Sequence, residues 1–152
     1  MSDLEDLYQE MILDHGRRPR NSGAMPDATC QAEGFNPLCG DRITVYAKVS
    51  GDQINALSFE GSGCAISQAS ASLMTEALKQ TNTNTATELF EKFQNLVTGK
   101  EELIDIEAPP SLGKLEVLRG VQRFPTRVKC ATLAWHTLMA AIRGNADTVT
   151  TE

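Results

Sequence analysis

The chain has 152 residues and a net charge of −6, with 41% hydrophobic, 22% charged and only 5% aromatic residues. That length supports one domain with a sizeable core and is short for two. The acidic balance repels a phosphate backbone, so no nucleic-acid partner is expected. No apolar run approaches the length of a bilayer span, and the opening Met1-Ser2-Asp3-Leu4-Glu5-Asp6 lacks the basic and apolar regions of a signal peptide. A cytoplasmic protein without a membrane segment is therefore expected. In a reducing compartment its four cysteines point to buried packing, metal binding or thiol chemistry rather than disulfides.

Ser2 or Asp3 can cap a first helix over residues 4–14, with Leu4, Leu7, Tyr8, Met11 and Ile12 on one face. Gly16, Pro19, Gly23 and Pro26 then break regular structure. His15, at that helix end, reads as solvated. Residues 29–33, with Cys30, suit an edge strand in which the cysteine is packing. Cys39-Gly40-Asp41 follows, and Ile43, Val45, Ala47 and Val49 alternate with polar neighbours as in a half-buried strand. Ser50-Gly51-Asp52 signals a hairpin turn, and residues 54–59 form the returning strand.

Gly61-Ser62-Gly63-Cys64 leads into a helix over 65–80 with small residues on one face. After a polar loop over 81–87, Thr85 and Glu88 form a capping box for a helix running to about residue 97. Residues 99–113, with Gly99, Pro109, Pro110 and several carboxylates, read as a surface excursion, and 114–119 as one more helical turn. Pro125 punctuates the approach to a last helix over 130–143, which stops at Gly144. His136 reads as solvated or at the edge of the core. A single domain over 1–144 with a frayed polar tail over 145–152 is expected. Strands followed by several helices, without βαβ alternation, predict an α+β fold: a small antiparallel sheet with helices packed against it.

Cys39 and Asp41 are two residues apart on an extended segment, so both side chains reach one point, and Gly40 between them permits close approach. Cys64 stands where a glycine loop meets a helix N-terminus, and Cys130 at the start of the last helix beside Arg127 and Lys129. Both surroundings favour a thiolate. Three thiolates and a carboxylate suit tetrahedral zinc or an anchor for iron and sulfide. The spacing alone, with no Cys-x-x-Cys pair, leaves open unrelated, partly buried cysteines, and Asp41 an Asx turn. The basic clusters Arg17-Arg18-Pro19-Arg20 and 119–129 suit docking to an acidic protein patch or plain solvation. A thiol hydrolase using Cys64 with His15 or His136 as base is a third chemistry, which requires a histidine near a thiol.

Asn36-Pro37-Leu38-Cys39-Gly40-Asp41, Phe59-Glu60-Gly61-Ser62-Gly63-Cys64 and Arg127-Val128-Lys129-Cys130 through Trp135 resemble the U-type iron–sulfur cluster assembly family. So do Leu7 to His15 and Pro19-Arg20-Asn21. The IscU-type branch has a histidine immediately before the third cysteine. The SufU-type branch has a lysine there, an arginine two residues earlier and an extra segment ahead of the last motif. Lys129, Arg127 and the excursion over 99–120 are similar to the SufU-type pattern. The resemblance implies a three-stranded antiparallel sheet, and zinc held by Cys39, Asp41, Cys64 and Cys130. It implies sulfur acceptance through Cys39 from a SufS-type cysteine desulfurase, whose histidine takes the place of Cys39 on zinc. It also implies downstream iron–sulfur assembly partners, and Arg127 pairing with the released thiolate or with Asp41. The role implied is that of a sulfur carrier and desulfurase activator rather than a stand-alone enzyme. The other role the family implies is a scaffold holding a transient iron–sulfur cluster on the same residues.

Overall fold

The computed structural model describes residues 3–100, 102, 105, 108–144 and 149–150. The first helix, α1 (Asp3–Arg17), turns Tyr8, Met11 and Ile12 onto the core and leaves Leu7 exposed. It continues through Gly16, which packs beside Ala65: a Cβ there would stand 3.4 Å from it. Extending the helix also carries His15 inward. It is buried, against the solvated position expected of it.

Strands β1 (Cys30–Asn36), β2 (Asp41–Ser50) and β3 (Gln53–Ser62) form two antiparallel hairpins, with Asn36 opposite Asp41 and Arg42 opposite Ser62. Ile43, Val45 and Ala47 are buried as the alternation predicts, and Gly51 supplies the positive φ of 61° at the β2–β3 turn. The sheet has four strands in the order β3-β2-β1-β4, because β4 (Val149–Thr150) lies parallel to β1 beside Gly34 and Phe35. Thus β1 is not an edge strand over its last residues, and two residues read as tail belong to the sheet. The rest of that tail lies outside the described residues.

Helical pieces pack on the sheet and on one another. Helix α2 (Ala65–Leu78) is small-residue-rich, so it packs closely on its neighbours: Ser70 donates to the Ala131 carbonyl of α4 (Pro125–Arg143). Helix α3 (Thr83–Val97) is capped by Asn82, whose side chain accepts from the Thr85 amide at 2.7 Å. The expected capping box at Thr85 and Glu88 is therefore one turn too late, since Asn82 offers the preceding cap. Within the excursion, a 3-10 segment (Gly113–Arg123) buries Leu115, Val117, Leu118 and Val121, and Lys92 Nζ donates to the carbonyls of Ala108 and Pro110. The excursion is thus partly core, not wholly surface; residues 101, 103, 104, 106 and 107 lie outside the described residues.

Helix α4 starts at Pro125, a residue favoured at the first helical position, and ends on Gly144 with φ 73°. Its start precedes the expected one by five residues, which puts Cys130 inside the helix. Trp135 is fully buried and stacks on Phe93, ring centroids 4.8 Å apart. Gly34 on β1 has no room for a side chain: a Cβ would lie 2.1 Å from Thr137 Oγ1, so α4 rests directly on the sheet. No helix among the described residues is long and apolar enough to cross a membrane.

Urea unfolding checks the cap. Asn82→Ala should cost about 1 kcal/mol, and Thr85→Ala, which loses no cap acceptor, much less.

Candidate metal centre

The β1–β2 turn and α4 meet at one point. Asp41 opens β2 fully buried, Cys39 stands in the turn just before it, exposed, and Cys130 lies buried on the second turn of α4. Their ligand atoms all fall within 4.8 Å of one another, and the Sγ atoms of Cys39 and Cys130 are 3.3 Å apart. Zinc bonds to sulfur and oxygen are roughly 2.0–2.3 Å long, so tetrahedral ligands of one ion lie roughly 3.3–3.8 Å apart, a range that the two sulfurs meet. This group therefore has the size and donor chemistry of a metal site.

Asp41 is fixed from two sides. Its Oδ1 accepts from the Cys64 amide at 2.9 Å, and its Oδ2 from Asn36 Nδ2 at 3.3 Å. Asn36 Nδ2 also lies 3.4 Å from Cys130 Sγ. One buried amide thus serves two prospective ligands, and its cross-strand pairing with Asp41 puts it there. Asn36 was not singled out from the sequence, since only the hairpin register shows that it faces Asp41. Gly63 has a similar hidden role: a Cβ at that position would lie 2.5 Å from Asp41 Oδ1.

Cys64 is not in the tight group. It is the N-cap of α2, its sulfur accepting from the Ser67 amide at 3.4 Å, while its backbone holds Asp41. It lines the same cavity as Cys39 and Cys130, about 990 Å³ in volume. Its sulfur lies outside the group formed by Cys39, Asp41 and Cys130, and accepting one N–H leaves it further lone pairs.

Cys130 departs from expectation. Its thiol is not at a helix start that favours ionisation. Burial pushes it well up, and the Cys39 and Asp41 hydrogen bonds and the charges of Cys64 and Asp41 act the same way. A metal must displace that proton.

Arg127 lines the cavity with its guanidinium over the Phe124 ring, 5.0 Å from the centroid, and has no ion pair with Asp41 among the described residues. Lys129 is half-buried beside Cys130. Cys30 is half-buried on β1, its thiol donating to the Ala47 carbonyl and pushed up by burial, as packing requires. His15 bonds Ser72, and His136 meets the Phe90 ring edge-on with its pKa lowered by burial. Among the described residues neither histidine hydrogen-bonds a thiol, and neither lines the cavity that holds Cys39, Cys64 and Cys130.

Comparison with known proteins places the chain in a family. Residues 7–131 match the family model for the NifU-like N terminal domain, and the chain belongs to that family. It is 43% identical over 137 residues to the zinc-dependent sulfurtransferase SufU of Bacillus subtilis, covering 90% of each chain. It is 39% identical over 147 residues to the iron–sulfur cluster assembly scaffold protein IscU of Streptococcus pyogenes, covering 97% of this chain and 89% of that one. Among solved structures, a candidate iron–sulfur cluster assembly scaffold for the SUF system from Fervidobacterium islandicum superposes with a TM-score of 0.82. That protein is 36% identical, and the match covers 91% of this chain and 98% of the other.

Because Cys130 must lose its proton to bind, metal affinity should fall steeply as pH drops, as measured by competition with a chromophoric chelator. Gly63→Ala, which pushes on Asp41, should lower that affinity at constant pH while leaving the far-ultraviolet circular dichroism unchanged.

Proposed function

We propose that this protein is a zinc-bound sulfur acceptor in iron–sulfur cluster assembly, taking persulfide sulfur from a cysteine desulfurase through Cys39. The observation that carries this reading is the asymmetry of the site. Cys39 is exposed on a turn, while its neighbours Asp41 and Cys130 are buried. A partner can reach Cys39 without dismantling the rest. Cys39, Asp41, Cys64 and Cys130 would hold the zinc, which when bound keeps thiols deprotonated yet shielded.

In the transfer, the Cys39 thiolate attacks the outer sulfur of the partner's persulfide. A bond forms between Cys39 Sγ and that sulfur, the partner's sulfur–sulfur bond breaks, and the partner's cysteine leaves as a thiolate. Cys39 can turn outward because Gly40, with φ 71° and nothing within 4 Å of a Cβ there, allows the turn to flex. Asn36 and the Cys64 amide meanwhile keep Asp41 in place. Arg127 receives the freed thiolate or pairs with Asp41. It is exposed, and the stacking on Phe124 that it must give up is worth only about 0.5–1 kcal/mol. The protein acts in the cytoplasm as a carrier and activator for its desulfurase and passes sulfur to downstream assembly proteins.

The Streptococcus pyogenes relative is named a scaffold, which favours a second reading: the same four residues hold a transient iron–sulfur cluster. Anaerobic reconstitution with iron and sulfide, followed by transfer to an apo-ferredoxin, tests it. No transfer, with zinc displacing iron, rejects it.

For the first reading, Cys39→Ala should abolish stimulation of the partner desulfurase, and Cys30→Ala should leave it intact. Arg127→Ala should reduce stimulation with zinc content unchanged. Full stimulation by Cys39→Ala overturns the acceptor assignment.

A further inference from the structure

One titratable group of the described residues lies outside the metal centre yet supports a wall of its cavity. His15, 3% exposed, joins α1 to α2. Its Nδ1 lies 2.7 Å from the hydroxyl of Ser72, itself fully buried. That hydroxyl already accepts the Arg20 amide at 2.8 Å. On its other side, His15 Nε2 is 3.6 Å from Glu76 Oε1, a buried oxygen without a hydrogen-bond partner among the described residues. A lone pair on Nε2 would face that carboxylate oxygen unfavourably, so the ring proton belongs on Nε2. Nδ1 is then the acceptor and Ser72 the donor.

Two turns or less before His15, the same helix contributes Tyr8, Gln9, Ile12 and Leu13 to the cavity that holds Cys39, Cys64 and Cys130. Leu13 is substantially exposed there, and no residue between Tyr8 and Leu13 has a side-chain hydrogen bond among the described residues. The polar tie of this end of α1 is His15 with its neighbours Asp14 and Arg20, whose own ion pair is solvent-exposed and contributes little.

We infer that His15 is a positioning residue for the thiol cavity: as neutral acceptor of the Ser72 hydroxyl it seats α1 on α2 and so holds the wall over Cys39. The inference does not depend on which metal or partner the site serves. Protonation removes the acceptor and leaves a cation in a buried place. The groups facing the ring are Asp14 on α1, Arg20 in the following loop, Glu76 on α2 and Lys114 in the 3-10 segment. Burial lowers the His15 pKa below 6.5 and Arg20 and Lys114 act likewise, outweighing the opposite pull of Glu76 and Asp14. With the docked pKa depressed, an undocked α1 takes the proton first. Seating is complete above pH 6.5 and is lost as pH falls through the lower docked value.

Hydrogen exchange by mass spectrometry on the zinc-loaded full chain tests this, at about pH 7.5 and about pH 5.5 with intrinsic rates corrected. In the wild type, protection of α1 should fall several-fold, by up to about tenfold, at the lower pH while that of β2 is kept. His15→Asn places an amide oxygen near the Nδ1 position, accepts from Ser72 and does not titrate. It should keep α1 protected at both pH values. Both proteins carry the same metal ligands, so a loss common to both comes from the thiols and overturns the inference. An α1 in the wild type that is indifferent to pH overturns it as well. His15→Ala should open α1 at both pH values; protection equal to wild type contradicts the role. If His15→Ala does not fold, the wild-type and His15→Asn pair still decides.

Discussion

The buried Asp41 carboxylate is the constraint on which the site depends. It opens β2, faces Asn36 across the β1–β2 hairpin and takes the Cys64 amide at the head of α2. A buried carboxylate is costly unless every lone pair is used. Two N–H donors meet part of that need, and the thiols close by leave the remainder to a cation. Sheet register, the glycine loop before α2 and the seating of α4 are coupled through this one side chain. Gly63 shows how tightly, since even a methyl group there would strike Asp41.

Around that fixed point the donors differ in freedom. Cys130 is locked in α4 and holds its proton tightly, while Cys64 caps α2 and Cys39 is on an exposed turn. The proposed sulfur transfer would need one ligand to leave while the others keep the ion, and exposed Cys39 is the one a partner can address. Arg127, whose guanidinium stacks on Phe124 and makes no ion pair among the described residues, is the cation that the proposed transfer would draw on.

Much of this was legible in the sequence because the signals are local. The alternation from Ile43 to Val49 and the Ser50-Gly51-Asp52 turn mark the β2–β3 hairpin; Cys39 and Asp41 converge as expected, but through a turn at Gly40 with φ 71° rather than along an extended segment. The misses come from contacts between elements. Pro125 reads as punctuation ahead of the last helix, whereas the structure makes it the first residue of α4, which moves Cys130 into the helix. His15 looks solvated until α1 is seen to run on to Arg17 and pack against α2, where His15 meets Ser72. Asn36 gains its role from the register, and β4 from a pairing across more than a hundred residues, which no local pattern encodes.

The most direct test is to incubate the zinc-loaded protein with its cysteine desulfurase and cysteine, quench with an alkylating agent and map persulfides by peptide mass spectrometry. A one-sulfur increment on the peptide carrying Cys39, with Cys64 and Cys130 unmodified, is the result expected. Sulfur accumulating on Cys64 or Cys130, with Cys39 unmodified, would contradict it.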